Sequence, residues 1–312
     1  MKRIILNALV VLFSGLIFSC EKDIYPELET AEPQFVVDAF ITDLPEVQKI
    51  RLAQSLPYYQ AETLPPLRNA TVSITDDQGK RYDFVEGSEV GTYEWTPTVA
   101  DPVFGEVGRT YTLEIISGNT TVNSTVSMGR VPDVDTVIFA YEEESPFNAE
   151  GYTAEFFAVD PVGPGDTYWI KTFKNNEYLN LPSEINVAYD AAFSAGGNVD
   201  GTTFILPIRR SINPQDVDED GNLLKAYEPD DSIRVEIHSI SNLAFDFFLQ
   251  MQEQIDRPGG FGELFAVPLA NLPTNLQATG PFENRVVGIF NVAAVSSKSN
   301  WLDPNNLPPK GN

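Results

Sequence analysis

Apolar and polar positions alternate in short bursts along the first third of the chain after its N-terminal segment. Lys49-Ile50-Arg51-Leu52-Ala53 and Ala70-Thr71-Val72-Ser73-Ile74-Thr75 each gather apolar residues on one side of an extended backbone. That period of two marks a half-buried strand. Phe35 to Thr42, Arg81 to Val85, Gly91 to Trp95, Gly108 to Ile115 and Thr121 to Met128 also read as strands. Asp76-Asp77-Gln78-Gly79 and Ser117-Gly118-Asn119 supply turns. Short strands with evenly spaced turns predict a β-sandwich over residues 32–129.

Val131-Pro132-Asp133 reads as a linker into a second module. There the predicted strands are Thr136 to Tyr141, Tyr152 to Val159, Thr167 to Phe173, Thr203 to Ile208 and Ser232 to His238, with Arg285 to Val295 closing the module. Residues 175–201 have weak periodicity and read as an insertion. Ala244, Phe247, Phe248, Met251 and Ile255 instead recur at helical spacing. Ser241 or Asn242 can cap that helix, and Pro258-Gly259-Gly260 can end it. Phe245 and Leu249 widen its apolar surface, so it is expected to pack on more than one side. The fold expected is mainly β, with two β-sandwich domains. The first, 32–129, is immunoglobulin- or prealbumin-like. The second, 130–302, is fibronectin-III-like, with an insertion and one packed α-helix. A Pro- and Asn-rich tail, 303–312, is expected to be disordered.

The N-terminus follows a different pattern. Lys2 and Arg3 precede an apolar run from Ile4 to Phe18. The run falls short of the ~20 residues a spanning helix needs. A positive start, an apolar middle and a small residue at the cut make a signal peptide. The run ends Leu16-Ile17-Phe18-Ser19-Cys20, which resembles a bacterial lipobox. The resemblance implies cleavage after residue 19 and lipid on Cys20, with residues 20–31 as a tether. Cys20 is the chain's only cysteine, so no intramolecular disulfide is available. Glu21-Lys22-Asp23, directly behind it, resembles the surface-export signal of Bacteroidota lipoproteins.

Charge narrows the partners. The chain carries 45 Asp and Glu against 20 Lys and Arg, a net −25. Cleavage before Cys20 would remove two cations and no acid. Nucleic acid is therefore not an expected partner, because its binders neutralise phosphates with Lys and Arg. Electrostatic docking on anionic lipid is disfavoured for the same reason. Membrane attachment would then depend on acyl chains, and stable anchoring takes two signals.

The ordered pieces resemble a family. Phe35-Val36-Val37-Asp38-Ala39-Phe40-Ile41-Thr42-Asp43, Asn69 to Gly79, Gly91-Thr92-Tyr93, Val107 to Ile115, Ala244-Phe245-Asp246-Phe247-Phe248 and Val287-Gly288-Ile289-Phe290 carry the likeness. Together they resemble the Bacteroidota lipoproteins grouped as domain of unknown function 4249. The resemblance implies an outer-membrane lipoprotein, lipid-anchored on the periplasmic or cell-surface face, with a TonB-dependent transporter as expected partner. It implies no established activity and no catalytic residues.

Candidate chemistry is sparse. Asp216-Val217-Asp218-Glu219-Asp220-Gly221-Asn222 has the D-x-D-x-D-G spacing of a calcium loop. Asp216, Asp218, Asp220 and Asn222 are the candidate Ca2+ ligands. The EF-hand pattern wants Glu at its twelfth position, where this chain has Tyr227. The alternative is an acidic, solvated hairpin turn. His238 is the only histidine, and alternation along its strand sets it on the outward face, as a surface residue. Any Ser-His-Asp triad would need it. With Cys20 lipidated, no thiol nucleophile is left, and the chain is not expected to be an enzyme. Asp135-Thr136-Val137 and Asp231-Ser232-Ile233 resemble a Bacteroidota O-glycosylation motif, making Thr136 and Ser232 candidate sites. Two roles stay open. One is an accessory protein to a transporter in nutrient uptake. The other is a free-standing glycan-binding module or adhesin using Trp95, Trp169 or Trp301.

Overall fold

The computed structural model of the chain describes residues 31–57, 63–146, 148–197, 199–257, 259–266 and 268–310. The expected signal peptide 1–19, Cys20 and the tether as far as residue 30 lie outside the described residues, as do residues 311–312 of the tail. No helix among the described residues is long and apolar enough to cross a membrane.

The alternating segments of the first third are strands: β1 (Phe35–Thr42), β2 (Gln48–Gln54), β3 (Thr71–Asp76), β4 (Arg81–Glu86), β5 (Thr92–Trp95), β6 (Thr110–Ser117) and β7 (Thr120–Ser127). Their apolar positions face inward because burial there removes the most apolar surface from water. Val37, Ile41, Ile50, Leu52, Ile74, Leu113 and Val122 are all buried in one core. The chain continues through β8 (Val134–Glu142), β9 (Gly151–Ala158), β10 (Thr167–Lys174), β11 (Glu177–Tyr178), β12 (Asn186–Tyr189), α1 (Leu206–Arg210), β13 (Ser232–Ile240), α2 (Asn242–Ile255), β14 (Gln277–Thr279), β15 (Val286–Ala293) and β16 (Val295–Trp301).

The protein is mainly β. A nine-stranded sheet, ordered β14-β7-β6-β3-β4-β5-β2-β1-β15, closes sandwich-like over the first core. A second sheet runs β11-β10-β13-β16 with β12 also on β10, and β8 pairs β9 alone. A second core lies on one face of β10 and β13, with Ile170, Val235 and Ile237 packed against Phe156, Phe204 and Tyr227.

Three local expectations are corrected. The segment 285–295 was expected to close the second sandwich. Instead β15 joins the first sheet, parallel to β1, with Phe35 opposite Val286 and Thr42 opposite Ala293. Phe290, Val292 and Ala294 therefore belong to the first core. Residues 130–302 are thus not a self-contained module, and the chain from Pro33 on packs as one unit. Asn291 reinforces the crossing. It is fully buried, accepts from Ser241 N at 2.9 Å and donates to Ser239 O at 3.3 Å. The second correction is at 203–208, expected as a strand. Only Thr203 makes a bridge, and the chain then turns into α1. Pro207 sits in the first turn of that helix, where its missing N–H costs nothing. The third concerns the end of the closing strand, expected to run on to Val295: it stops at Ala293, and Val295 opens β16, the antiparallel neighbour of β13.

Helix α2 forms where its spacing predicts. Ser241 is its N-cap, the hydroxyl accepting from Ala244 N at 3.2 Å. The helix ends at Ile255, before the Pro-Gly-Gly stop. Its buried residues, Ala244, Phe245 and Phe248, share one face, and Leu249, expected to widen the packed surface, is 39% exposed. Phe248 lies 4.4 Å from the Trp169 ring of β10 and 5.5 Å from Phe40 of β1, measured between centroids. With Ala244, Phe245, Ile240 and Ile289 it makes a third core between the two sheets.

Candidate functional site

Strand β10 has large side chains on both faces. Tyr168 and Ile170 point into the second core, whereas Trp169, Lys171 and Phe173 point the other way. Strand β13 pairs with it so that Phe173 lies opposite Arg234, Lys171 opposite Glu236, and Trp169 opposite His238. These six side chains form one wall of a cavity of about 580 Å3. Its opposite wall comes from β1 and β2, with Asp38, Phe40, Lys49 and Arg51.

His238 is therefore not the surface residue expected. It does sit on the face opposite Ile233, Val235 and Ile237, but β1, β2 and α2 cover that face, leaving the residue 4% exposed. Its Nε2 lies 3.0 Å from Glu236 Oε2. Arg234 pairs with Glu236 Oε1 and stacks 3.8 Å over the Phe173 ring. Burial pushes the His238 pKa down to about 3, and the nearby Lys171 and Arg234 charges push the same way. The imidazole is thus neutral at pH 7, with its Nε2–H donated to Glu236.

Lys171 is the cation left over. Among the described residues no carboxylate lies within 4 Å of its Nζ; Arg234 and Arg51 have Glu236 and Asp38, and Lys49 has Glu94. Its ammonium is held instead by ring faces: Trp169 at 4.9 Å, Tyr178 at 4.9 Å and Phe173 at 5.5 Å. Desolvation by burial lowers its pKa, the Glu46 carboxylate at the cavity mouth raises it, and Arg234 lowers it.

A second cavity of about 580 Å3 is lined by Glu142, Leu206, Arg210, Asn213 and Leu224. Its charges are mutually satisfied, because Arg210 contacts both Glu142 and Glu155. No charge is left facing that space for a ligand.

The expected calcium ligands do not assemble. Asp216, Asp218, Asp220 and Asn222 form an exposed hairpin turn closed by a Val217–Leu223 bridge. The Asp218 carboxylate bends back onto the turn, accepting from Asn222 N at 2.8 Å and Asp220 N at 3.0 Å. These bonds, the Asn222 backbone N–H foremost, hold its pKa below the ordinary value. Of the loop's carboxylates the turn engages that of Asp218, and among the described residues no three acids of the loop converge. Among the described residues, three acids converge elsewhere, within 4.8 Å of one another: Asp160, Asp190 and Asp200. Their oxygens accept from Tyr168 Oη at 2.6 Å, Gly165 N at 2.8 Å and Gly163 N at 2.8 Å respectively. A hard cation would find oxygen donors there, and the same bonds already pin the 163–166 loop. Burial raises the Asp160 pKa.

Of the candidate glycosylation sites, Thr136 is exposed on β8. The Ser232 hydroxyl lies 3.3 Å from Asn175 Oδ1. The three tryptophans do not form a common platform. Trp95 packs edge-on to Tyr82 and Phe104 at 5.6 Å each, Trp169 lines the cleft, and Trp301 is half exposed on β16. Sequence reasoning missed Lys171. The signal was present in β10, where Trp169 and Phe173 flank it on one face while Tyr168 and Ile170 occupy the other. A strand with large apolar residues on both faces is covered on both.

No curated protein matches the chain. Among solved structures, a segment of two fibronectin type III domains from chicken tenascin is similar at 14% identity, over 69% of this chain and 90% of that one, with a TM-score of 0.17. The family model described as domain of unknown function (DUF4249) matches residues 21–299, and the chain belongs to that family.

Proposed function

We propose that the protein is a Bacteroidota-type lipoprotein, held to the outer membrane by acyl chains on Cys20, that serves a TonB-dependent transporter as an accessory in nutrient uptake. The observation that carries this reading is the position of Cys20. The chain's only cysteine falls directly behind a basic start, an apolar run and a small residue. The strong acidity supports it, since such a surface does not adhere to anionic lipid without an acyl anchor. The cleft adds a place in which a small molecule could be held. The glycan-binding alternative is less favoured, because Trp95 and Trp169 are engaged in packing.

The test is purification of the lipidated protein from detergent-solubilised native membranes. A TonB-dependent receptor is expected to co-purify, and Cys20→Ser is expected to release the protein from the membrane. Recovery with no receptor would refute the partner, and membrane retention of the serine variant would refute the anchor.

A further inference from the structure

We propose that the cleft between β1–β2 and β10–β13 binds a small organic monoanion, a carboxylate on a flat apolar body, with the Lys171 ammonium as its charge partner and the Trp169 and Phe173 rings as its bed.

The cleft runs against the charge of the whole chain. In a protein of net −25, its walls carry Lys49, Arg51, Lys171 and Arg234 against Asp38, Glu46 and Glu236. Pairing removes most of these charges from consideration. Arg51 lies 3.6 Å from Asp38, Lys49 lies 3.1 Å from Glu94, and Arg234 contacts Glu236. Glu236 has its second oxygen on His238, so it is satisfied and offers little repulsion. What remains is one ammonium facing the cavity and one acid, Glu46, exposed at the mouth.

Structure alone does not call for that ammonium. Lys171 is half-buried; withdrawing a charge from water even in part is costly, and an apolar side chain of similar length usually serves packing as well or better. Three ring faces hold Lys171 in place without neutralising it. A half-buried charge facing a cavity, with no carboxylate within 4 Å of it, suits a site that receives an anion. The class of ligand follows from the set. A single free ammonium suits a monoanion. Phosphate groups are held best by bidentate arginines; Arg234 is committed to Glu236, and Arg51 is a largely exposed side chain 3.6 Å from Asp38. Aromatic walls suit a planar apolar body, and about 580 Å3 lies within the usual range for small-ligand clefts.

The inference names the ligand class for the capture role proposed above, but it does not need the lipid. It is tested on residues 20–312 carrying Cys20→Ser, with benzoate as probe and benzamide as its neutral counterpart. Calorimetry and the ring resonances of the one histidine, His238, report binding. Benzoate is expected to bind and shift the His238 signals, with benzamide about tenfold weaker or more. Lys171→Met should weaken benzoate by about tenfold while leaving the melting temperature unchanged or higher, and Lys171→Arg should retain binding. Glu46→Gln, at the exposed mouth, should tighten it by about threefold, which reads the same charge effect should the Met variant fold poorly. Absence of benzoate binding, equal affinity for benzamide, or indifference to both the Lys171→Met and Glu46→Gln changes would overturn the proposal. None of these results bears on whether a receptor co-purifies, so the two readings fail separately.

Discussion

Replacing His238 by glutamine is expected to flatten the acid side of the protein's stability profile. In the folded chain the imidazole is 4% exposed and its pKa is pushed down to about 3 from 6.5. The groups facing it are Glu236 and Arg234 on its own strand and Trp169 and Lys171 on β10. The Glu236 carboxylate by itself would favour the imidazolium, but Arg234 already shares it, and burial with the two cations decides the balance. The unfolded chain therefore binds a proton below about pH 6.5 that the folded chain refuses until about pH 3. Stability from this group is full above pH 6.5 and is lost as the pH falls through that window. Between pH 7 and pH 5 the loss is about 2 kcal/mol. Glutamine cannot titrate, and it keeps an N–H to offer Glu236. Urea unfolding of residues 20–312 with Cys20→Ser, with and without His238→Gln, should give curves of stability against pH that converge by about 2 kcal/mol from pH 7 to pH 5. Carboxylates away from residue 238 titrate alike in both proteins and cancel in the comparison. Selective labelling of the one histidine gives a direct check. A folded-state resonance titrating near 6.5, or parallel stability curves, would refute the reasoning.

Other substitutions probe the joints of the fold. Gly288 has φ +101°, and a Cβ there would lie 1.8 Å from the Val37 carbonyl oxygen of β1. Gly288→Ala should cost about 3 kcal/mol or more in denaturant unfolding; a loss under about 1 kcal/mol would contradict the parallel β1–β15 pairing. Ser241→Ala removes the cap of α2 and should cost about 1 kcal/mol, with Ser241→Asn close to neutral. Tyr168→Phe takes the hydroxyl from buried Asp160 and should cost about 2 kcal/mol by the same measurement.

The strands were legible in the sequence because each needs only its own alternation. Lys49 to Ala53 and Ala70 to Thr75 lie in β2 and β3 within a residue or two of where the pattern puts them. Helix α2 was legible for the same local reason, including its Ser241 cap. What alternation lacks is the identity of a strand's neighbour. Nothing in Val286 to Ala293 says that its partner is β1, some 250 residues earlier. The His238 error has the same root. Its strand showed which face it was on, and the exposure of that face depended on elements remote in sequence. Pro207 was a readable warning against a strand at 203–208, since proline opens helices and interrupts ladders. The D-x-D-x-D-G spacing was persuasive because it is local, yet its carboxylate at 218 binds its own turn. The acids that do converge, at 160, 190 and 200, come from two connections, one after β9 and one between β12 and α1, that only folding brings together.

The proposed anchor at Cys20 is tested most directly by the intact mass and N-terminal sequence of the protein purified from native cells. The account predicts a chain beginning at Cys20, heavier than the polypeptide by a thioether-linked diacylglycerol and any further acyl chain. A chain beginning elsewhere, or one beginning at Cys20 with a free thiol, would contradict it.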